Sequence, residues 1–119
     1  MKISIFGLGY VGAVSAGCLA HEGHDIIGVD PYQPKVDIIN SGNSPIIEAH
    51  IDELIAEAVR VGRLRATTDS GEAIRNTDLS FVCVGTPSQP NGNLDLKFIR
   101  RVCEQIGQAL KEKSTRHTI

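Results

Sequence analysis

Three glycines spaced as Gly7-x-Gly9-x-x-Gly12, with a carboxylate at Asp30, are the residues of this chain whose types and spacing could do chemistry. The chemistry is recognition of a diphosphate and a ribose. Gly7 permits a sharp turn, Gly9 lets backbone close on phosphate oxygens, and Gly12 lets a following helix lie against the preceding strand. The N–H groups of Tyr10 and Val11, at the start of that helix, point a partial positive charge at the same place. Asp30 follows Gly9 by 21 positions, near the spacing of about 20 at which a carboxylate accepts hydrogen bonds from an adenosine ribose. A carboxylate there repels a 2′-phosphate, so the cofactor this pattern implies is NAD rather than NADP.

Glycine spacing alone occurs by chance in many loops, and only the elements around it give it meaning. Ile3, Ile5 and Phe6 read as a strand, Ala13, Ala16, Gly17 and Ala20 as a small-residue helix closed near Gly23, and Asp25 to Val29 as a second strand ending at Asp30. That is a complete β-α-β unit. Pro31 to Pro34 turns into a short helix from Lys35 to Ser41, and Ile51, Leu54, Ile55, Ala58 and Val59 mark another over Glu48–Val61. Arg63–Thr68 reads as a short third strand at an edge. Asp69-Ser70-Gly71-Glu72 opens a brief helix, and Leu79–Val84 is apolar enough for a central parallel strand.

In a sheet of order 3-2-1-4, the loop Gly85-Thr86-Pro87 falls at the switch point where open α/β sheets bind ligands. Thr86 reads equally as a turn threonine before a proline or as a hydroxyl facing the cofactor. Lys35, judged by periodicity alone, reads as an exposed lysine. Asp95 is the expected N-cap of a long helix whose stripe of Leu96, Ile99, Val102, Cys103, Ile106, Ala109 and Leu110 should be core. His117-Thr118-Ile119 opens as a fifth strand would. The fold class is therefore a Rossmann-type doubly wound α/β sheet, cut at its fifth strand. The expectation is an incomplete NAD-binding domain over residues 1–119, the amino-terminal part of a longer protein and marginal or association-prone alone.

Composition narrows the partners. With 119 residues, 22% of them charged, and a formal net charge of -2, the chain lacks the basic surface that nucleic acid or an anionic membrane demands. No apolar run reaches the roughly 20 residues of a membrane span, and the N-terminus enters a strand directly, so the expected compartment is the cytoplasm. Cys18, Cys83 and Cys103 show neither disulfide nor zinc spacing and read as small buried hydrophobes. The four histidines form no metal-ligand cluster.

Gly7 to Gly12, Gly28-Val29-Asp30 with Lys35, Asn40-Ser41-Gly42 through Pro45-Ile46-Ile47-Glu48, and Val84-Gly85-Thr86-Pro87 with Gly92 and Asp95-Leu96 together resemble the nucleotide-sugar 6-dehydrogenases. The stretches Val11 to Leu19 and Asp95 to Gly107 are similar to the GDP-mannose branch, with the UDP-glucose branch as the alternative and a non-catalytic nucleotide-binding module as a second. The resemblance implies two successive oxidations of a sugar C6 alcohol to a carboxylate with two NAD+, here GDP-mannose to GDP-mannuronate for alginate-type exopolysaccharide, in a homo-oligomer. It also implies that Tyr10 and Val11 meet the pyrophosphate, Asp30 the ribose, Lys35 the same end of the cofactor, and Thr86 the cofactor across the switch point. Such enzymes use a cysteine, with lysine, asparagine and acidic residues, in parts matching nothing here, so no catalytic residue is assigned. One departure is Glu48-Ala49-His50-Ile51, where the family usually has Glu-Pro-Gly-Leu.

Overall fold

A computed structural model describes residues Met1–Ile119. Four strands, β1 (Lys2–Phe6), β2 (Asp25–Val29), β3 (Leu64–Thr67) and β4 (Leu79–Val82), form one sheet in the order β3-β2-β1-β4. All three pairings are parallel, with Phe6 opposite both Val29 and Val82 and Val29 opposite Thr67. Every strand therefore ends at the same edge, and the loops after them meet there. The order matches the sequence expectation, and β3 lies at an edge as expected.

Helices α1 (Tyr10–His21), α2 (Gln33–Asn40) and α3 (Ile51–Arg60) cover one face, and α4 (Ser70–Arg75) and α5 (Lys97–Leu110) the other. The sides are unequal. Thirteen buried residues, including Ile3, Ile5, Leu8, Ile39 and Ile55, form the α1–α3 core, against six, including Phe6, Val29, Ile74 and Ile106, under α4 and α5. At roughly 1.5–3 kcal/mol for each fully buried large aliphatic side chain, the first face holds most of the stability. The small residues of α1 explain how: Ala13, Ala16, Gly17 and Ala20 are buried, and a methyl at Gly17 would already touch Ile55 and Leu54 at 3.5 Å. The helix ends as its sequence foretells. Glu22 is the C-cap, Gly23 follows at φ 96, and Gly23 and His24 donate back to Ala20 and Leu19.

Several boundaries differ, each for a local reason. α2 begins at Gln33 rather than Lys35, because Pro34 is pre-set for a first helical turn. α3 begins at Ile51 rather than Glu48, because His50 has φ 66 and cannot continue a right-handed helix. The N-cap of α5 is Leu96, not Asp95; the Asp95 carboxylate instead accepts the Lys97 N–H at 3.0 Å. Asp69 does cap α4, accepting from Glu72 at 3.0 Å.

The core stripe expected on α5 is only partly realised: Ile106 alone is buried, Ile99, Val102, Ala109 and Leu110 are half-buried, and Leu96 and Cys103 are exposed. Cys18 is exposed as well, on the outer side of α1, so only Cys83 of the three cysteines is partly enclosed. Burial pushes the Cys83 thiol up, away from a reactive thiolate. The fifth strand is present as a single parallel bridge, Thr118 to Leu79. No helix is long and apolar enough to cross a membrane.

Candidate functional site

The strand-ending edge is built around the turn from β1 to α1. Gly7 has φ 95 and donates to Val29 O at 2.8 Å, and a methyl on it would lie 2.8 Å from Cys83 O. Strands β2 and β4 thus close on it from both sides, and only glycine fits. At Gly12 a methyl would stand 1.7 Å from Gly7 O. The first turn of α1 rests directly on the carbonyl of the turn that precedes it.

Gly9 differs in kind. It is the N-cap of α1, with φ -76 and ψ -159, and contributes no side-chain cap. A methyl there would meet nothing within 4 Å. Glycine is not needed at this position for folding; the empty space in front of it is where an approaching ligand would have to come. No acidic side chain stands in the first turn of α1, and Tyr10 and Val11 are exposed. The uncapped N–H groups of that turn face open solvent, which suits an anion.

Asp30 is 6% exposed. Its Oδ2 accepts the Leu8 N–H at 2.9 Å and its Oδ1 the Tyr32 N–H at 3.0 Å. These bonds tie the glycine turn to the loop after β2, a role the sequence did not reveal. Each oxygen keeps a second lone pair, so the carboxylate can still accept from an outside hydroxyl. Lys35 Nζ lies 3.9 Å from Oδ2, bringing the two residues of the proposed adenosine end together. Thr86 lies on an exposed loop beyond β4, on the same edge.

Between the end of β2, the end of β4 and α5 runs a largely apolar cleft, with Gly7, Val29, Pro31 and Val84 on one side and Phe98, Arg101 and Gln105 on the other. Sequence reasoning missed the α5 wall, having read that helix as core alone. The signal was there: Phe98, Arg101, Val102 and Gln105 follow i, i+3, i+4, i+7 spacing beside the apolar stripe. On the other flank of the turn, the Tyr10 hydroxyl donates to Glu48, which holds the phenol's pKa above its ordinary value.

The residues present fit a dinucleotide: a backbone anion seat with a clear approach, a carboxylate with spare acceptor capacity, and a flat apolar slot beside it. Comparison with known proteins agrees. The model of the "UDP-glucose/GDP-mannose dehydrogenase family, NAD binding domain" matches residues 1–119. GDP-mannose 6-dehydrogenase of Pseudomonas savastanoi pv. phaseolicola is 59% identical over 119 residues, all of this chain and 27% of that protein. UDP-glucose 6-dehydrogenase of Rhizobium meliloti is 39% identical over 112 residues, 93% of this chain and 26% of that one. A crystal structure of a ternary complex of GDP-mannose dehydrogenase from Pseudomonas aeruginosa superposes with a TM-score of 0.97 at 56% identity, covering 98% of this chain and 27% of that chain. The chain spans little more than a quarter of the curated relatives it matches.

Proposed function

The chain belongs to the UDP-glucose/GDP-mannose dehydrogenase family, whose NAD-binding domain it matches throughout, and from that premise we propose that it serves a GDP-mannose 6-dehydrogenase. The reaction is oxidation of the sugar C6 alcohol to a carboxylate, giving GDP-mannuronate for an alginate-type exopolysaccharide. Identity of 56–59% to GDP-mannose 6-dehydrogenases, against 39–40% to UDP-glucose 6-dehydrogenases, favours the first substrate. The enzyme is read as cytoplasmic and homo-oligomeric, with residues 1–119 its cofactor domain and the substrate and catalytic parts lying outside them.

NAD+, when bound, supplies the hydride acceptor. The chain's own part is to bind and orient it. Gly7, Gly9 and Gly12 shape the turn; the Tyr10 and Val11 N–H groups would hold the pyrophosphate, and Asp30, with Lys35 beside it, would accept from the adenosine ribose. Pro31, Phe98 and Arg101 line the slot that would take the adenine, and Thr86 would meet the cofactor across the switch point. The observation that carries this reading is the open space before Gly9 at an uncapped helix start.

Two measurements test it. Calorimetric titration of the chain with NAD+ and NADP+ should show binding of the former and at least tenfold weaker binding of the latter; equal affinities would sink the ribose assignment. NADH formation by the full-length protein, assayed with GDP-mannose and with UDP-glucose, decides the substrate, and a preference for UDP-glucose would overturn the one proposed.

A further inference from the structure

Tyr10 is the first residue of α1 and the largest side chain of the turn from Gly7 to Gly12. It borders the open space in front of Gly9, and it is 57% exposed. Side chains in a helix point back toward its N-terminus, so the ring at this first helical position stands beside the anion seat. What holds it there comes from a distant part of the chain. The Tyr10 hydroxyl donates to Glu48 Oε2 at 2.5 Å, across 38 positions of sequence.

Glu48 belongs to a fixed loop. Its other oxygen, Oε1, accepts the Ala49 N–H at 3.2 Å. Behind it, Ser44 Oγ donates to Ile46 O at 2.8 Å and accepts the Ile46 N–H at 3.2 Å, and Ile46 packs against the α1–α3 core. Ahead of it, Ile51 opens α3 and is 4% exposed. The carboxylate therefore stands between two anchored points of the chain.

Such a carboxylate has an electrostatic drawback. It lies one tyrosine side chain away from a helix start that attracts anions, and it takes part in no ion pair, so its field opposes a pyrophosphate. The single contact through which it can benefit the same site is the Tyr10 hydroxyl.

We propose that Glu48 is a positioning residue for the cofactor: by holding the Tyr10 hydroxyl it keeps the ring off the approach to Gly9, so that an incoming pyrophosphate meets an open helix start. This role rests on the assignment of the site to a dinucleotide. A ring released from Glu48 would sweep across the seat and close it for part of the time, and association slows by the fraction of molecules so closed.

The probe is NADH, which carries the same pyrophosphate and adenosine as NAD+ and fluoresces; its association with the full-length protein is followed by stopped flow. Glu48→Ala should slow association by roughly fivefold or more. Tyr10→Phe breaks the same bond and keeps the ring, and should slow it to the same extent. Glu48→Gln retains an acceptor oxygen and should recover most of the wild-type rate. Tyr10→Ala leaves no ring to hold, so adding Glu48→Ala to it should not slow association further.

An unchanged or faster rate in Glu48→Ala, as relief of repulsion alone would give, overturns the proposal. So does a Glu48→Gln rate as slow as that of Glu48→Ala, or slowing by Glu48→Ala in the Tyr10→Ala background. Because Glu48→Ala can fail to fold, Tyr10→Phe decides independently: it leaves Glu48 and its loop intact, and a wild-type rate in that variant refutes the role. A wild-type protein that does not bind NADH refutes the cofactor assignment itself, whereas normal wild-type binding with these variants unaltered refutes only the part given to Glu48.

Discussion

Gly12 stands so close to Gly7 that a single methyl on its α-carbon would lie 1.7 Å from the Gly7 carbonyl oxygen. That contact is backbone to side chain within one turn, and neither partner has a rotamer with which to yield. The spacing between the first strand and its helix is thus set by the absence of two side chains.

Gly12→Ala should destabilise the fold by more than about 2 kcal/mol, at the upper end of overpacking costs. Gly9→Ala is the contrasting case, since its methyl meets nothing and its backbone angles suit any residue. Its stability should stay within about 0.5 kcal/mol of wild type, while NAD affinity falls at least tenfold. Thermal unfolding and calorimetric titration of the two variants check both halves. A Gly9→Ala chain that binds NAD normally would move the pyrophosphate elsewhere.

Asp30→Ala should weaken NAD binding by about 1 to 3 kcal/mol of charge-assisted hydrogen bonding. It should also lower the melting temperature, because the Leu8 and Tyr32 N–H groups lose their acceptor. The pair of effects distinguishes a carboxylate with two duties from one with either alone. Lost stability with intact affinity would leave it a structural residue.

Tyr10 should titrate above the ordinary phenol value of about 10, because its hydroxyl bond to Glu48 and the negative charge beside it both disfavour the phenolate. Ultraviolet absorbance titration reads this directly. Glu48→Gln removes the charge and should bring the Tyr10 midpoint down; no movement would mean the pair is not formed in solution.

His50 occupies the left-handed region at the N-cap of α3, a backbone conformation that glycine adopts at no steric cost. Left-handed backbone costs a side-chain-bearing residue roughly 1–2 kcal/mol, and glycine returns part of the gain through its freer unfolded chain. His50→Gly should therefore raise stability by about 0.5–1 kcal/mol. The nearby Glu53 carboxylate, 3.8 Å away and well exposed, offers little to lose. Chemical denaturation measures the difference, and a destabilised variant would show that the imidazole has a role the geometry does not reveal.

Much of this was legible in the sequence because the relevant physics is local. Glycine spacing specifies a turn, apolar runs specify strands, and a carboxylate about 20 residues on lands beside the turn because a β-α-β unit has a fixed size. The contacts that escaped are those between residues far apart in the chain. Asp30 could be read as a ribose acceptor but not as the partner of Leu8. Ser4 and Ser80 carry no pattern, and only the β1–β4 register sets them side by side. The burial of α5 was over-read for a related reason: its periodicity describes a face, and says nothing of how much sheet lies under it.

The double duty proposed for Asp30 also sets a constraint on cofactor redesign. Switching such a site toward NADP conventionally begins by removing the carboxylate that repels the 2′-phosphate. Here that step would orphan the Leu8 N–H, whose 2.9 Å bond pins the glycine turn from within a buried setting. A successful exchange would have to install a neutral acceptor at the same point first and place the phosphate-binding cation afterwards. On the proposed reading, specificity and the shape of the turn are written in one side chain, and they can only be edited together.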